Sequence, residues 1–424
     1  MNYDIVAGMD NATLNKIISQ VYKAVYPSLF KSTIDVNTMG IKSVTFDINA
    51  APIVSIKPTL DTKKYLQESL KTFKSSTVIV SPAYSAKLIK LAAAATFEIT
   101  APSVGLTINY PTGNPISTNA TLRIAVNIQT STTGGKNIFT VKIISASINL
   151  NPSEPVLESL LNQAFIPYLI PYLNTNILNP IIIPALQFSS IQVSLPVPVV
   201  QLPFLTTYAA LGTVQPDIPA PSTWPANCIF VGVDSNVLLK AAAIPFPLGP
   251  EANFDWNIIS GKVGAQVHAP SPIKINADGS ISTSIMADVV AQLTLHTPWP
   301  LPNVSFGPRA SASISATLKP QVVNGQLSLI LQGISVPTFS FDWGIPSYIG
   351  WLFYPLQAGL SLALNAILGP LISNVLKLIP PIPIYTLPAI PITLGSKTIH
   401  ININQATTSS INSLLVISAQ ASVS

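Results

Sequence analysis

The chain restarts at its midpoint. The segment IVAGMDNATLNKII (Ile5 to Ile18) returns as IFVGVDSNVLLKAA (Ile229 to Ala242), where Ile5, Gly8, Asp10, Leu14 and Lys16 find counterparts in Ile229, Gly232, Asp234, Leu238 and Lys240 at a constant offset of 224. A duplicated start in a chain of 424 residues points to two copies of one unit, each large enough to bury its own core. In both copies an apolar extended run leads to an aspartate suited to cap a helix N-terminus. Gly8 and Gly232 are expected where that strand turns into the helix.

The pattern after each start follows one order. Leu14, Ile17, Ile18, Val21, Tyr22, Val25 and Leu29 keep helical spacing until Pro27 bends or ends the helix. From Val44 to Leu150 the period changes to two, most clearly at Leu122, Ile124, Val126 and Ile128. A second helix opens at Ser153 and Pro155 and carries Leu157, Leu160, Leu161, Ala164, Phe165 and Tyr168 inward, with kinks expected at Pro167 and Pro171. Ser194 to Cys228 holds seven prolines and a single charge, Asp217, which marks an extended boundary. Beyond it come a short helix, long alternating strands such as Ile285 to Leu295, a long apolar helix and a proline-rich tail. The expected organisation is a first unit over 1–193, a proline-rich linker or central-sheet region over 194–227, and a second unit over 228–424.

Composition narrows what those units are for. Charged residues make up 9% of the chain, where about a quarter is usual, and mean hydropathy is +0.48. Such a chain enters a membrane, builds a large apolar interior, or holds something apolar. No residue from Trp343 to Leu376 is charged, and Ile349 to Leu376 exceeds the length of about 20 residues that spans a bilayer. Yet Gln357, Ser361 and Asn365 form a polar line, and flanking lysines are nearly absent. A helix packed against a curved sheet is the expectation.

Positive charge is local. Seven lysines lie between Lys57 and Lys90 against Asp61 and Glu68, with no arginine among them. That pattern excludes a nucleic-acid face. It fits either a solvated surface or transient contact with an anionic membrane, for which Lys63, Lys64, Lys71 and Lys74 are the candidate head-group contacts. Cys228 stands alone, so no intramolecular disulfide forms. No signal peptide is recognisable, which suggests a cytosolic chain or a mature, leaderless form. The sequons at Asn11, Asn119 and Asn303 then read as chance matches.

Chemistry is sparse. His268, His296 and His400 lack metal-ligand spacing, and no phosphate or dinucleotide fingerprint occurs. GLSLA (Gly359 to Ala363) imitates part of a nucleophile elbow but lies inside a helical run. No enzymatic activity, metal or cofactor is expected.

The tandem order of helix, long strands and helix, joined by a proline-rich segment, resembles the tubular lipid-binding (TULIP) superfamily, which includes bactericidal/permeability-increasing and lipid-transfer proteins. The resemblance covers the whole chain but rests on no short motif. It implies an α+β fold of two tandem units, each a long, highly curved antiparallel sheet wrapped around a long helix, joined end to end into an elongated tube. The single cysteine departs from the disulfide of animal members and points to bacterial or intracellular branches, some with toxin-associated members. Lipid binding in a tunnel between helix and sheet is what the resemblance implies.

Such a tunnel would remove acyl methylenes from water at about 0.8 kcal/mol each. Its candidate lining is Leu14, Ile17, Val21 and Val25 with Leu160, Ala164, Phe165 and Tyr168, and in the second half Trp351, Leu352, Leu356, Leu360, Leu364 and Leu368. Each also suits ordinary core. Two functions stand side by side: binding or transfer of a phospholipid, fatty acid or similar amphiphile, and an accessory role with a filled interior and a protein partner.

Overall fold

The computed structural model describes residues 3–56, 97–133, 136–176, 181–182, 192–220, 222–256, 258–296, 303–323, 326–344, 350–386, 390–394 and 397–424. The lysine segment, with Lys63, Lys64, Lys71 and Lys74, lies outside them. The chain is α+β. It begins with β1 (Ile5–Asp10), α1 (Asn11–Val25), β2 (Lys31–Thr38), β3 (Ile41–Ile48), β4 (Ile53–Ser55), β5 (Phe97–Asn109), β6 (Ile116–Thr133) and β7 (Lys136–Asn151). Then come α2 (Pro155–Ala164), α3 (Ile166–Asn176), β8 (Ile181–Ile182), β9 (Val197–Gln201) and β10 (Phe204–Ala209).

The second half runs in a matching order. It opens with β11 (Ile229–Val233), α4 (Ser235–Ala242), β12 (Glu251–Trp256), β13 (Ile259–Ile275), β14 (Ile281–Leu295) and β15 (Val304–Phe306). It continues with β16 (Arg309–Val323), β17 (Gln326–Ser335), α5 (Gly350–Lys377) and β18 (Ile382–Thr386). Last are β19 (Ile390–Leu394), β20 (Lys397–Ile411) and β21 (Leu414–Val423).

Among the described residues three antiparallel sheets result. One runs β2-β3-β5-β6-β7-β8 with β4 beside β5, and another runs β12-β13-β14-β16-β17-β18 with β15 beside β14. Both curl. Register shifts interrupt the ladders at Ala101/Val104, Ala125/Val126 and Val267/Pro270, and such bulges bend and twist a strand. Helix α3 packs on β7 and also on β2, while α5 packs on β17 and also on β12 and β13. Each helix therefore touches strands near both ends of its sheet. The alternation expected in β14 holds: Ile285, Ala287, Val289, Ala291, Leu293 and Leu295 are buried, whereas Met286 and Val290 are about half exposed.

The third sheet, in the order β19-β20-β21-β11-β1-β10-β9, takes strands from both halves. At its centre β1 and β11 pair antiparallel, Ile5 with Val233, Val6 with Gly232 and Ala7 with Val231. Val231 is the repeat counterpart of Ala7, so the pairing is symmetric about that pair. Outside them the hairpin β9–β10 turns between Gln201 and Phe204, and β20–β21 turns in the same way between Ile411 and Leu414. The duplicated motif thus meets its own copy.

Local chemistry explains the starts. Asp10 Oδ1 accepts from the Thr13 amide at 2.9 Å, and Asp234 Oδ1 accepts from the Asn236 amide at 2.8 Å, as N-caps. The glycines play a different part from the one expected. Gly8 and Gly232 lie inside strands β1 and β11, and a Cβ on Gly8 would sit 2.6 Å from Leu205 O and 2.8 Å from Phe230 Cζ. They permit close approach of packed strands.

The helix expected from Val156 onward breaks at Phe165, between α2 and α3. Pro167 has no N–H to continue the ladder, while the Phe165 amide still bonds to Leu161 O at 2.9 Å. The break rotates the buried face onto Ile166, Leu169 and Leu173, so Tyr168 is 43% exposed instead of inward.

Candidate functional site

The candidate site is the apolar layer between each helix and its curved sheet. In the first half, Leu161, Ala164, Phe165, Leu169 and Leu173 pack against Phe46, Leu106, Ile108 and Ile148. The rings of Phe46 and Tyr172 meet edge to face, 6.0 Å apart. Ala164 and Phe165 are buried in that core, and Leu14 and Leu160 lie half-buried against it. Ile17 and Val21 face elsewhere, onto Ile401, Ala421 and Val423 of the central sheet. Val25 is fully buried at the end of α1. The stripe of α1 therefore divides between two neighbours, because the helix lies where the first sheet meets the central one.

In the second half α5 buries one ridge, Leu360, Leu364, Leu368, Ile372 and Leu376, at spacing of four. Full burial of each is worth about 1.5–3 kcal/mol. Leu356 is 36% exposed and Leu362 71%. The side chains of Trp351 and Leu352 lie outside the described ones. Of the polar line of this helix, Asn365 grips the protein: its Oδ1 accepts from the Phe339 amide at 2.7 Å, and its Nδ2 donates to Phe339 O at 3.0 Å. Asn162 holds Ile148 in the same two-bond grip, Asn174 holds Ile143, and Asn15 holds Val54. Each carboxamide mimics a strand neighbour, satisfying one N–H and one C=O.

Where α5 ends, an apolar cavity lies among Phe246, Ile285, Leu318, Leu329, Ile379 and Ile382, with Thr283 the polar side chain at its wall. Its volume is about 10 Å³, room for about one water molecule. The Thr283 hydroxyl is already committed, donating to Pro272 O at 2.8 Å. None of these residues was among the sequence candidates, since they come from four strands and two loops and share no local signal.

Among the described residues, larger hollows open on the outward sheet faces. One, of about 430 Å³, holds Glu251, Lys262, Gln266, Asp288 and Gln292. Another, of about 320 Å³, holds Lys31, Asp47, Asn49 and Asn119. Lys262 pairs with Glu251 at 2.6 Å and Lys31 with Asp47 at 3.0 Å.

Two polar clusters among the described residues contain a histidine beside a serine or a carboxylate. Asp288 stands between His268, at 2.7 Å, and Ser311, which donates to it at 2.6 Å. These bonds hold its carboxyl below the usual range. A serine is activated by an imidazole placed between it and a carboxylate, and here the carboxylate has the middle place. Ser260 does reach His296 at 2.8 Å, but among the described residues no carboxylate lies within reach of that ring. No group of three His, Cys, Asp or Glu side chains among the described residues is placed to hold a metal. Burial pushes the Cys228 thiol up, away from its reactive form.

Comparison with solved structures finds similar chains. A lipopolysaccharide binding protein shares 10% identity at a TM-score of 0.34, covering 100% of this chain and 99% of that one. P47 from Clostridium botulinum A2 shares 10% at a TM-score of 0.46, covering 99% and 97%. P47 of Clostridium botulinum E1 shares 9% at 0.41, covering 99% of each. No protein-family model matches the chain, and no curated protein matches it in sequence.

Proposed function

We propose that this chain is a non-enzymatic carrier built from two tandem units forming a tube, and that it binds a phospholipid, fatty acid or similar amphiphile between helix and curved sheet. One observation carries the reading: the layer beneath α5 is mainly apolar, its ridge of five residues packed on the sheet, and ends in a cavity at the helix terminus. A cavity of about 10 Å³ admits no acyl chain as it stands. Entry therefore requires α5 to lift from the sheet, and its attachment through one ridge and Asn365 suits such a motion. Transfer between membranes is the natural use of a site that opens and closes.

The test is native mass spectrometry of the purified protein with organic extraction, followed by titration with a fluorescent fatty acid. Saturable binding near one equivalent per chain, weakened by Ile285→Phe, supports the carrier. A clean mass, with no saturable binding of fatty acid or phospholipid, overturns it. The second reading, an accessory protein acting through a protein partner, would then lead, favoured by the first-half interior that Phe46, Phe165 and Tyr172 occupy.

A further inference from the structure

The outward side of α5 serves no contact described so far. Helix α5 is 28 residues long, and its segment Leu356–Lys377 has mean hydropathy 1.6 with only 22% of its most apolar stretch buried. Leu360, Leu364, Leu368 and Ile372 point into the sheet, so helical geometry places Gly359, Leu362, Ala366 and Pro370 on the opposite side. Leu362, Ala366 and Pro370 are all exposed. Asn365 is turned inward onto Phe339, while Asn374, exposed close to Lys377, is the one amide at the polar end of this face among its described side chains. The face left to solvent is uncharged until Lys377, which is exposed at the last turn.

Along the helix and the chain that follows it charge has one sign, while the acidic Glu251 and Asp255 lie on β12, which α5 touches. From Trp343 to the final residue the sequence contains no aspartate or glutamate, and its charged side chains are Lys377 and Lys397. Just after Lys377, Leu378 is 79% exposed, and the following Ile379, Pro380 and Ile382 line the apolar cavity.

We propose that the outward face of α5 is a membrane-docking surface for an anionic phospholipid bilayer. The helix lies in the plane of the interface, with Leu362 and Leu378 entering the acyl boundary and Lys377 meeting lipid phosphate. An amphipathic helix in this position binds through buried apolar area plus attraction to anionic head groups. Docking by this face brings the end of α5, where the chain runs on into the cavity wall at Ile379 and Ile382, near the lipid surface. That last point rests on the carrier reading; the docking itself does not.

The experiment is flotation of the full chain with vesicles of phosphatidylcholine containing phosphatidylserine, and with phosphatidylcholine alone. Binding to the anionic vesicles, weaker on neutral ones and reversed by alkaline carbonate, is the expected result. Leu362→Glu, a solvent-facing change that leaves the cavity lining intact, lowers partition about tenfold or more, and Lys377→Glu removes the preference for anionic vesicles. Both variants should keep the wild-type circular dichroism and thermal transition. Absence of wild-type binding, binding unchanged in a folded Leu362→Glu variant, or resistance to carbonate (a spanning helix) would each overturn the proposal. Fatty-acid titration of Leu362→Glu separates the two ideas. Retained saturable binding with lost flotation supports docking and the carrier as separate properties, whereas wild-type flotation without any fatty-acid binding supports docking while the carrier reading fails.

Discussion

Replacing Asn365 by alanine isolates the grip that holds α5 on the chain. The substitution removes an acceptor 2.7 Å from the Phe339 amide and a donor 3.0 Å from its carbonyl, and Phe339 is only 2% exposed. A hydrogen bond contributes about 1 kcal/mol net, so two contribute about 2 kcal/mol to local stability. At about 1.4 kcal/mol per factor of ten, opening of this segment becomes about thirtyfold more frequent. Global melting suits the question poorly, because a chain of several sheets need not unfold in two states. Hydrogen exchange of the peptide containing Phe339 reads the effect directly. The Ile148 amide, held by Asn162 at 2.9 Å in the other half, is the internal control. Exchange at Phe339 within about threefold of wild type would show that packing of the Leu364 ridge alone holds the helix, and would refute this account.

Other expected outcomes follow from geometry. Gly8→Ala should lower stability by about 1–3 kcal/mol, because the new methyl meets the Leu205 backbone carbonyl. Gly232→Ala should cost less, since its nearest atom is a Val6 side-chain methyl. Thermal unfolding of both variants checks the order. Burial opposes ionisation of Asp10, yet hydrogen bonds from Thr13 and Asn227 outweigh it and hold its folded pKa below the usual 3.8. Its contribution is therefore complete above that value and lost as pH falls through the depressed one. Denaturant titration of Asp10→Asn should show lower stability at neutral pH and a shallower loss below about pH 4 than wild type. Cys228, buried and with its thiol pushed up by desolvation, should resist alkylation until denaturant is added, as followed by intact mass.

Much of the scaffold was legible because it depends on local period. The strand from Ile285 to Leu295 alternates without interruption, and Asp10 and Asp234 announce their helices by residue type and position. What escaped depends on partners remote in sequence. Nothing in the segment around Gly8 reveals that Leu205 and Phe230 press on it from two neighbouring strands. Tyr168 fits the spacing of Leu161 and Phe165, but a proline two residues after the helix break resets the phase. Asn365 was readable as an argument against lipid; its grip on Phe339 was not, since any backbone offers the same two groups. The apolar cavity draws on residues from Phe246 to Ile382, and no window of sequence contains it.

The symmetric pairing of β1 with β11 has a consequence for how the chain is made. Strand β1 is synthesised before its neighbours, Phe204–Ala209 and Ile229–Val233, which emerge about two hundred residues later, some tens of seconds at the usual elongation rate of about 5–20 residues per second. During that interval Ile5, Val6 and Met9 form an unpaired apolar edge, the kind of template on which other chains aggregate. Ribosome-associated chaperones would find their substrate there, and yield on expression should depend more on shielding this first strand than on the final stability of the protein.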